Sequence, residues 1–137
     1  MNRRDFIALT GIAAVTLPSV SWGAPLDYHA GMIPARLAKG ETLFLDFKAS
    51  WCSTCAAQSR VLDALKAANP AYEREITFIN IDWDEHGEGP LVKQMNIPRR
   101  STLVVLKGDQ ELGRIVAGTA KKEIKALMDL ALNAATA

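Results

Sequence analysis

Residues 45–55 read LDFKASWCSTC, and most of what can be inferred about the fold starts from this stretch. It begins inside a largely apolar run, residues 41–48, which is typical of a strand buried on both faces of a sheet. Trp51 follows the run, and the chain's two cysteines, Cys52 and Cys55, come next with two residues between them. The segment therefore indicates a buried strand that is followed closely by a pair of neighbouring thiols.

The rest of the chain alternates strand-like and helix-like segments. The helix predictions come from apolar residues at helical spacing, and they cover Ser53–Ala68, a short segment near Pro90–Met95, and Lys121–Leu132. Further strands are predicted at residues 75–82, 101–107 and 111–117. Helices between strands require parallel pairing, whereas the Gly108-Asp109-Gln110 turn predicts an antiparallel hairpin. The sequence therefore predicts an α/β fold with a central mixed sheet flanked by helices, and residues 25–40 receive no assignment.

The N-terminal segment has the features of an export signal. Arg3 and Arg4 directly precede an apolar run, residues 6–20, that is short for a membrane span. The pattern resembles a bacterial twin-arginine signal, and small residues near its end allow cleavage after Gly23, with Ala24 as the alternative. A retained membrane anchor is the competing interpretation, since uncleaved signals of this length occur.

Cleavage there would divide the chain into an export signal, residues 1–23, and one domain, residues 24–137. Acidic and basic residues balance in the domain, so nothing in its charge suggests nucleic acid. We expect a periplasmic monomer. Disulfides persist in that compartment, so the two cysteines have to be weighed against an ordinary structural bridge.

The spacing of the cysteines favours redox chemistry over two alternatives. A structural disulfide between Cys52 and Cys55 would close a very short loop, and disulfide stabilisation grows with loop length. Tetrahedral zinc needs four ligands, and the predicted domain adds only His29 and His86 as nitrogen donors, without close paired spacing. At the start of a helix, Cys52 would meet unpaired backbone N–H groups that favour the thiolate. Cys52 is therefore the predicted nucleophile, and Cys55 is the predicted resolving thiol.

With the strand, the tryptophan and both thiols in register, residues 41–133 resemble the thioredoxin-like thiol-disulfide oxidoreductases. The resemblance implies a thioredoxin-like fold and places Asp46 as the buried acid beneath the second cysteine. It assigns Asp46 as the proton acceptor for Cys55, because burial favours the neutral carboxyl and brings its titration towards neutral pH. Trp51 is expected to lie beside the thiols, although a plain core position fits its sequence context equally well.

The chain departs from that family at the cis-proline that faces the disulfide. Alignment on the following strand puts Ser101 at this place, whereas alignment on Pro98 would require extra residues before the strand. With Ser101 there, the preceding peptide bond should be trans, since a cis bond before a non-proline residue is costly. By the same resemblance, the predicted substrate-binding residues are Trp51, Arg100, Ser101 and Thr102.

Two functions remain open on the sequence alone. The first is an exported reductase that receives electrons from a membrane-embedded donor and reduces disulfide-bearing exported proteins, without a bound cofactor. The resemblance does not fix the direction of electron flow, but the compact body is similar to the reducing members. The alternative is a binding protein whose thiol pair carries a soft metal or an iron–sulfur cluster. No methionine-rich or histidine-rich tract accompanies the cysteines, which argues against a dedicated carrier.

Overall fold

The computed structural model describes residues 24–137, so the predicted export signal lies outside the described residues. Within this range the strands are β1 (Leu26–Asp27), β2 (Thr42–Lys48), β3 (Thr77–Asp82), β4 (Thr102–Lys107) and β5 (Gln110–Val116). The helices are α1 (Met32–Ala38), α2 (Ser53–Ala68), α3 (Ala71–Glu75), α4 (Trp83–His86), α5 (Pro90–Met95) and α6 (Lys121–Thr136).

The described strands form one mixed sheet in the order β1-β3-β2-β4-β5. Strand β3 pairs in parallel with both β1 and β2, because a helical crossover returns the chain to the same end of the sheet. Strand β4 runs antiparallel to β2, and the hairpin joins it to β5. This arrangement confirms the predicted mixed sheet and puts β2 at its centre, with the cysteines directly after it.

Successive side chains of β2 point to opposite faces of the sheet, and each face carries its own hydrophobic cluster. Phe44 faces helices α2 and α6 and packs with Leu62 and Ile124. Leu45 and Phe47 belong to the cluster on the other face, which α1 and α5 cover. Because both faces are covered, β2 is buried over nearly its whole length, as its apolar sequence predicts.

The predicted long elements are confirmed, and the errors are confined to short ones. Helix α2 has the predicted bounds, and α6 continues one turn beyond its predicted end. Three short elements were unassigned: β1, α1 and α3. The single turn of α4, capped by the Asp82 side chain, was also unassigned in the sequence. None of the helices in the described residues is long and apolar enough to cross a membrane.

Candidate active site

The two cysteines are joined in a disulfide at the N-terminus of α2. Cys52 is the N-cap residue, and its Sγ accepts a hydrogen bond from the backbone N–H of Cys55 at 3.1 Å. Both side chains are almost fully buried, Cys52 at 4% exposure and Cys55 at 1%. A thiolate on Cys52 would therefore receive a backbone donor and the positive end of the helix dipole. This is the environment predicted for the nucleophile.

Asp46 is buried beneath the sheet surface that α2 covers. Its side chain is 5% exposed, and Oδ1 receives no hydrogen bond from the described residues. It shares a cavity of about 200 Å³ with Ser59, which lies one helical turn after Cys55. Burial raises the pKa of Asp46 from 3.8 to about 6, while the positive charges of Lys48 and Lys66 act in the opposite direction. The carboxyl can therefore take up and release a proton near neutral pH.

The two lysines beside Asp46 were not predicted from the sequence. Lys48 donates to Ser59 Oγ at 3.0 Å, and the Lys66 ammonium lies 4.0 Å from the centre of the Phe78 ring. Burial lowers the pKa of Lys66, and the surrounding carboxylates partly offset this effect. Both lysines line the cavity that contains Asp46. They place positive charge next to the carboxyl without pairing directly with it.

Ser101 is the loop residue that lies against the disulfide. Its Oγ is 3.1 Å from Cys52 Sγ and 3.1 Å from Cys55 Sγ, and its side chain has no exposed surface. The alignment on Pro98 is therefore not the one that the fold adopts. The peptide bond before Ser101 is trans, as expected for a residue other than proline. The backbone instead takes a left-handed conformation at Ser101, with φ of 63°.

Gln58 holds this loop and was missed in the sequence. Its Nε2 donates to the carbonyl oxygens of Ser101, at 2.9 Å, and of Gly118, at 3.0 Å. The side chain is fully buried, so these two bonds satisfy its donors inside the protein. The available signal was its position three residues after Cys55 and four before Leu62, on the buried face of α2.

Trp51 is an exposed side chain beside the disulfide. It is 58% exposed, so the plain core interpretation is wrong. Its Nε1 donates to both carboxylate oxygens of Asp84, at 2.9 and 3.1 Å, and the Arg100 guanidinium lies 4.5 Å from the centre of its ring. The two contacts fix the plane of the ring on the surface around the thiols. Asp84 was not predicted as part of the site.

The side chains of Thr102 and Arg99 form hydrogen bonds within the loop that precedes β4. The Thr102 hydroxyl donates to the Arg99 carbonyl oxygen at 2.7 Å, and the Arg99 Nε donates to the Arg100 carbonyl oxygen at 3.1 Å. Thr102 is fully buried, so its side chain supports the loop and does not reach the surface. Thr102 therefore has no exposed side-chain atom that could make the predicted contact with substrate.

The thiol pair has no cluster of further metal-binding side chains around it. Within residues 24–137, no group of three or more His, Cys, Asp or Glu side chains converges. His86 instead packs edge to face against the Tyr28 ring, and His29 is exposed. The metal-binding alternative is left with two sulfurs and the Ser101 hydroxyl as its donors.

Comparison with known proteins finds thioredoxins among the relatives of this chain. The chain is 30% identical over 79 residues to thioredoxin H5 of Oryza sativa subsp. japonica, an alignment that covers 58% of this chain and 54% of the rice protein. It is 27% identical over 94 residues to a thioredoxin H-type of Brassica campestris, covering 69% and 71%. The chain thus spans about half the length of most of these curated relatives.

Solved structures agree on the fold. The crystal structure of Trxlp from Edwardsiella tarda superposes with a TM-score of 0.65 at 25% identity, covering 76% of this chain and 98% of that one. Oxidised mitochondrial thioredoxin 3 of Saccharomyces cerevisiae gives 0.62 at 23% identity, covering 79% and 97%. The thioredoxin family model matches residues 34–130, which include the disulfide, Asp46 and Ser101. The chain belongs to the thioredoxin family.

Proposed function

We propose that this protein catalyses thiol-disulfide exchange and acts as a reductant of disulfides in exported proteins. The observation that carries the proposal is the Cys52–Cys55 disulfide at a helix N-terminus, directly after the strand that contains the buried Asp46 carboxyl. In this chemistry Cys52 attacks the client disulfide and Cys55 resolves the mixed disulfide. Asp46 accepts the Cys55 proton, for which its raised pKa of about 6 suits it.

The compartment and the electron supply form the finer part of the proposal. The Arg3-Arg4 pair and the apolar run after it support export to the periplasm, either with cleavage or as a retained anchor. A reductant there is oxidised at every turnover, and the compartment lacks a cytosolic reducing system. A membrane-embedded donor would therefore return the pair to the dithiol form.

The direction of electron flow is tested by the reduction potential of the Cys52–Cys55 pair. We expect a midpoint near the thioredoxin value, roughly −270 mV, when the protein is equilibrated in dithiol buffers and the free thiols are counted by alkylation and mass spectrometry. The protein would then give electrons to most client disulfides. A midpoint near roughly −120 mV would instead identify an oxidant and overturn the reductant part of the proposal.

The surface around the thiols favours acidic client segments. Arg99 and Arg100 directly precede Ser101, and Arg100 stacks on the exposed Trp51 ring. No carboxylate of the described residues lies within 4 Å of either guanidinium. Asp84, bound to the indole N–H, is the nearby opposing charge. Two unneutralised arginines in the loop whose Ser101 contacts both sulfurs would attract clients that carry Asp or Glu beside their disulfide.

Replacing both arginines, Arg99→Gln with Arg100→Gln, should lower kcat/KM about fivefold for a peptide disulfide flanked by Asp and Glu. A peptide with Lys at those positions should react with this variant at least as fast as it reacts with the unaltered protein. The difference should shrink in high salt, which screens exposed charges. Stopped-flow rates with the two peptides measure both effects.

The matched control for this prediction is Lys39→Gln/Lys107→Gln. These two lysines lie near the opposite end of β2 from the cysteines, where residue 107 pairs with the start of that strand. The control removes the same net charge away from the thiols and should leave the ratio of the two peptide rates unchanged. An equal ratio for the arginine variant and this control would show that net charge, and not the local surface, selects the client.

A further inference from the structure

The backbone of Ser101 is fixed by hydrogen bonds to three separate parts of the fold. Its N–H donates to the Phe47 carbonyl oxygen at the end of β2, at 2.7 Å, and its carbonyl oxygen accepts from the Ala117 N–H, at 2.9 Å. The same carbonyl oxygen accepts from Gln58 on α2. With the backbone held this way, rotation about the Cα–Cβ and Cβ–Oγ bonds is the freedom left to the side chain.

The Ser101 hydroxyl has one proton and two equally close sulfurs. Both sulfurs lie 3.1 Å from Oγ, and no other described atom forms a hydrogen bond with this oxygen. The side chain is fully buried, so bulk water does not supply an alternative partner. A disulfide sulfur is a weak acceptor, whereas a thiolate is charged and accepts a much stronger bond. The bond therefore strengthens on whichever sulfur becomes negative.

We propose that Ser101 is a catalytic residue whose hydroxyl is shared by the two sulfurs, donating to Cys52 when that thiolate forms and to Cys55 when the mixed disulfide is resolved. This role rests on the proposed exchange activity. Gln58, which holds the Ser101 carbonyl, is then a positioning residue. Pro98, the only proline of this loop, takes no part in it.

In the first step the Cys52 thiolate carries the charge. Its sulfur forms a bond to one client sulfur, and the other client sulfur leaves with the electron pair and takes a proton from water. Before the attack Cys52 has two donors, the Cys55 N–H and the Ser101 hydroxyl. Loss of the hydroxyl would leave the backbone donor in place, so this step should suffer moderately.

In the second step the charge moves to Cys55. Asp46 takes the Cys55 proton, the new thiolate bonds to Cys52 Sγ, and the client sulfur leaves with the electron pair and takes a proton from water, to which Asp46 then releases the proton it accepted. The protein ends as the disulfide and the client as the dithiol, with two electrons transferred. Ser101 Oγ is the one hydrogen-bond partner found for Cys55 Sγ in the described residues. Resolution should therefore depend on this hydroxyl more than attack does.

The test compares Ser101→Ala and Ser101→Gly with the unaltered protein. Both remove the hydroxyl, but only glycine also relieves the strain of the left-handed backbone. Comparing the two variants therefore separates the effect of losing the hydroxyl from the effect of backbone strain. Two readouts are used: the absorbance titration of the Cys52 thiolate in the reduced protein without client, and the quenched-flow amount of mixed disulfide with a peptide client. Ser50→Ala is the matched control, because it deletes an exposed hydroxyl two residues before Cys52.

We expect both variants to raise the midpoint of the Cys52 thiolate titration by about one pH unit, the size of one charge-assisted hydrogen bond. Mixed disulfide should accumulate at least threefold in both variants, and Ser50→Ala should do neither. An unchanged midpoint in both variants, a shift in the alanine variant alone, or a shift without accumulation would each overturn the shared role. The titration uses no client, so it can succeed or fail independently of the proposed reductase function.

Discussion

Cys55→Ala should accumulate covalent complexes with client proteins, at least tenfold more than Cys52→Ala does. Cys52 sits at the helix N-terminus with the backbone donor, so it can still attack a client disulfide in the Cys55→Ala variant. The mixed disulfide then persists, because the sulfur that would attack it is missing. Non-reducing electrophoresis of extracts from cells that express each variant measures the complexes, and mass spectrometry identifies the cysteine that carries the client.

The double variant Cys52→Ala/Cys55→Ala is the background for this experiment. Complexes that persist in the double variant come from unrelated thiols and are subtracted. Equal trapping by the two single variants would mean that either sulfur can attack first, and the assignment of nucleophile and resolving thiol would be wrong. That result is unexpected, because Cys52 Sγ receives a backbone N–H at the helix N-terminus, whereas Cys55 Sγ receives none in the described residues.

Asp46→Asn should raise the free energy of unfolding at pH 7 to 8 by up to about 3 kcal/mol and leave it nearly unchanged at pH 4. The pKa of Asp46 is about 6 in the folded protein against 3.8 ordinarily, so folding favours the protonated carboxyl. This stabilisation is complete below pH 3.8 and is lost as the pH rises through 6. Asparagine never ionises, so above about pH 6 the variant avoids the cost of a buried negative charge.

Urea unfolding of oxidised protein between pH 4 and 8 measures this effect, and the exchange rate measures its functional counterpart. The variant should lose the proton acceptor and resolve mixed disulfides more slowly. Asp109→Asn, in the exposed turn between β4 and β5, is the control and should not change the pH dependence of stability. Parallel pH profiles for Asp46→Asn and the unaltered protein would contradict a buried, proton-exchanging carboxyl.

Long, regular elements could be predicted because they bury many residues on one face. Helix α2 presents Cys55, Leu62 and Leu65 at helical spacing, and β2 is apolar throughout, so each pattern indicates one structure. Helix α1 has only two buried side chains, and β1 is two residues long and depends on pairing with β3. Such elements are held by tertiary contacts that local sequence patterns do not contain.

The site followed the same division. The cysteines and Asp46 lie within residues 45–55, and the resemblance of this one segment to the family was enough to predict them as parts of one site. Gln58 could not be recognised as a loop anchor, because its acceptors, the carbonyls of Ser101 and Gly118, become its neighbours only in the folded chain. Lys66 reaches the cavity of Asp46 from the second half of α2, and a lysine there otherwise reads as a solvent-facing residue.

The antiparallel pairing of β2 with β4 also sets when this chain acquires its chemistry during folding. The cysteines and the start of α2 are local in sequence, but Ser101 lies 49 residues after Cys52 and 46 after Cys55. Contacts of such separation carry a loop-closure cost and form late in comparison with helices. A chain whose fourth strand has not yet docked therefore holds its two thiols near each other without the hydroxyl that they share. Cys52 would keep its backbone donor in such a chain, but Cys55 would have no hydrogen-bond donor, so full reactivity reports a completed fold.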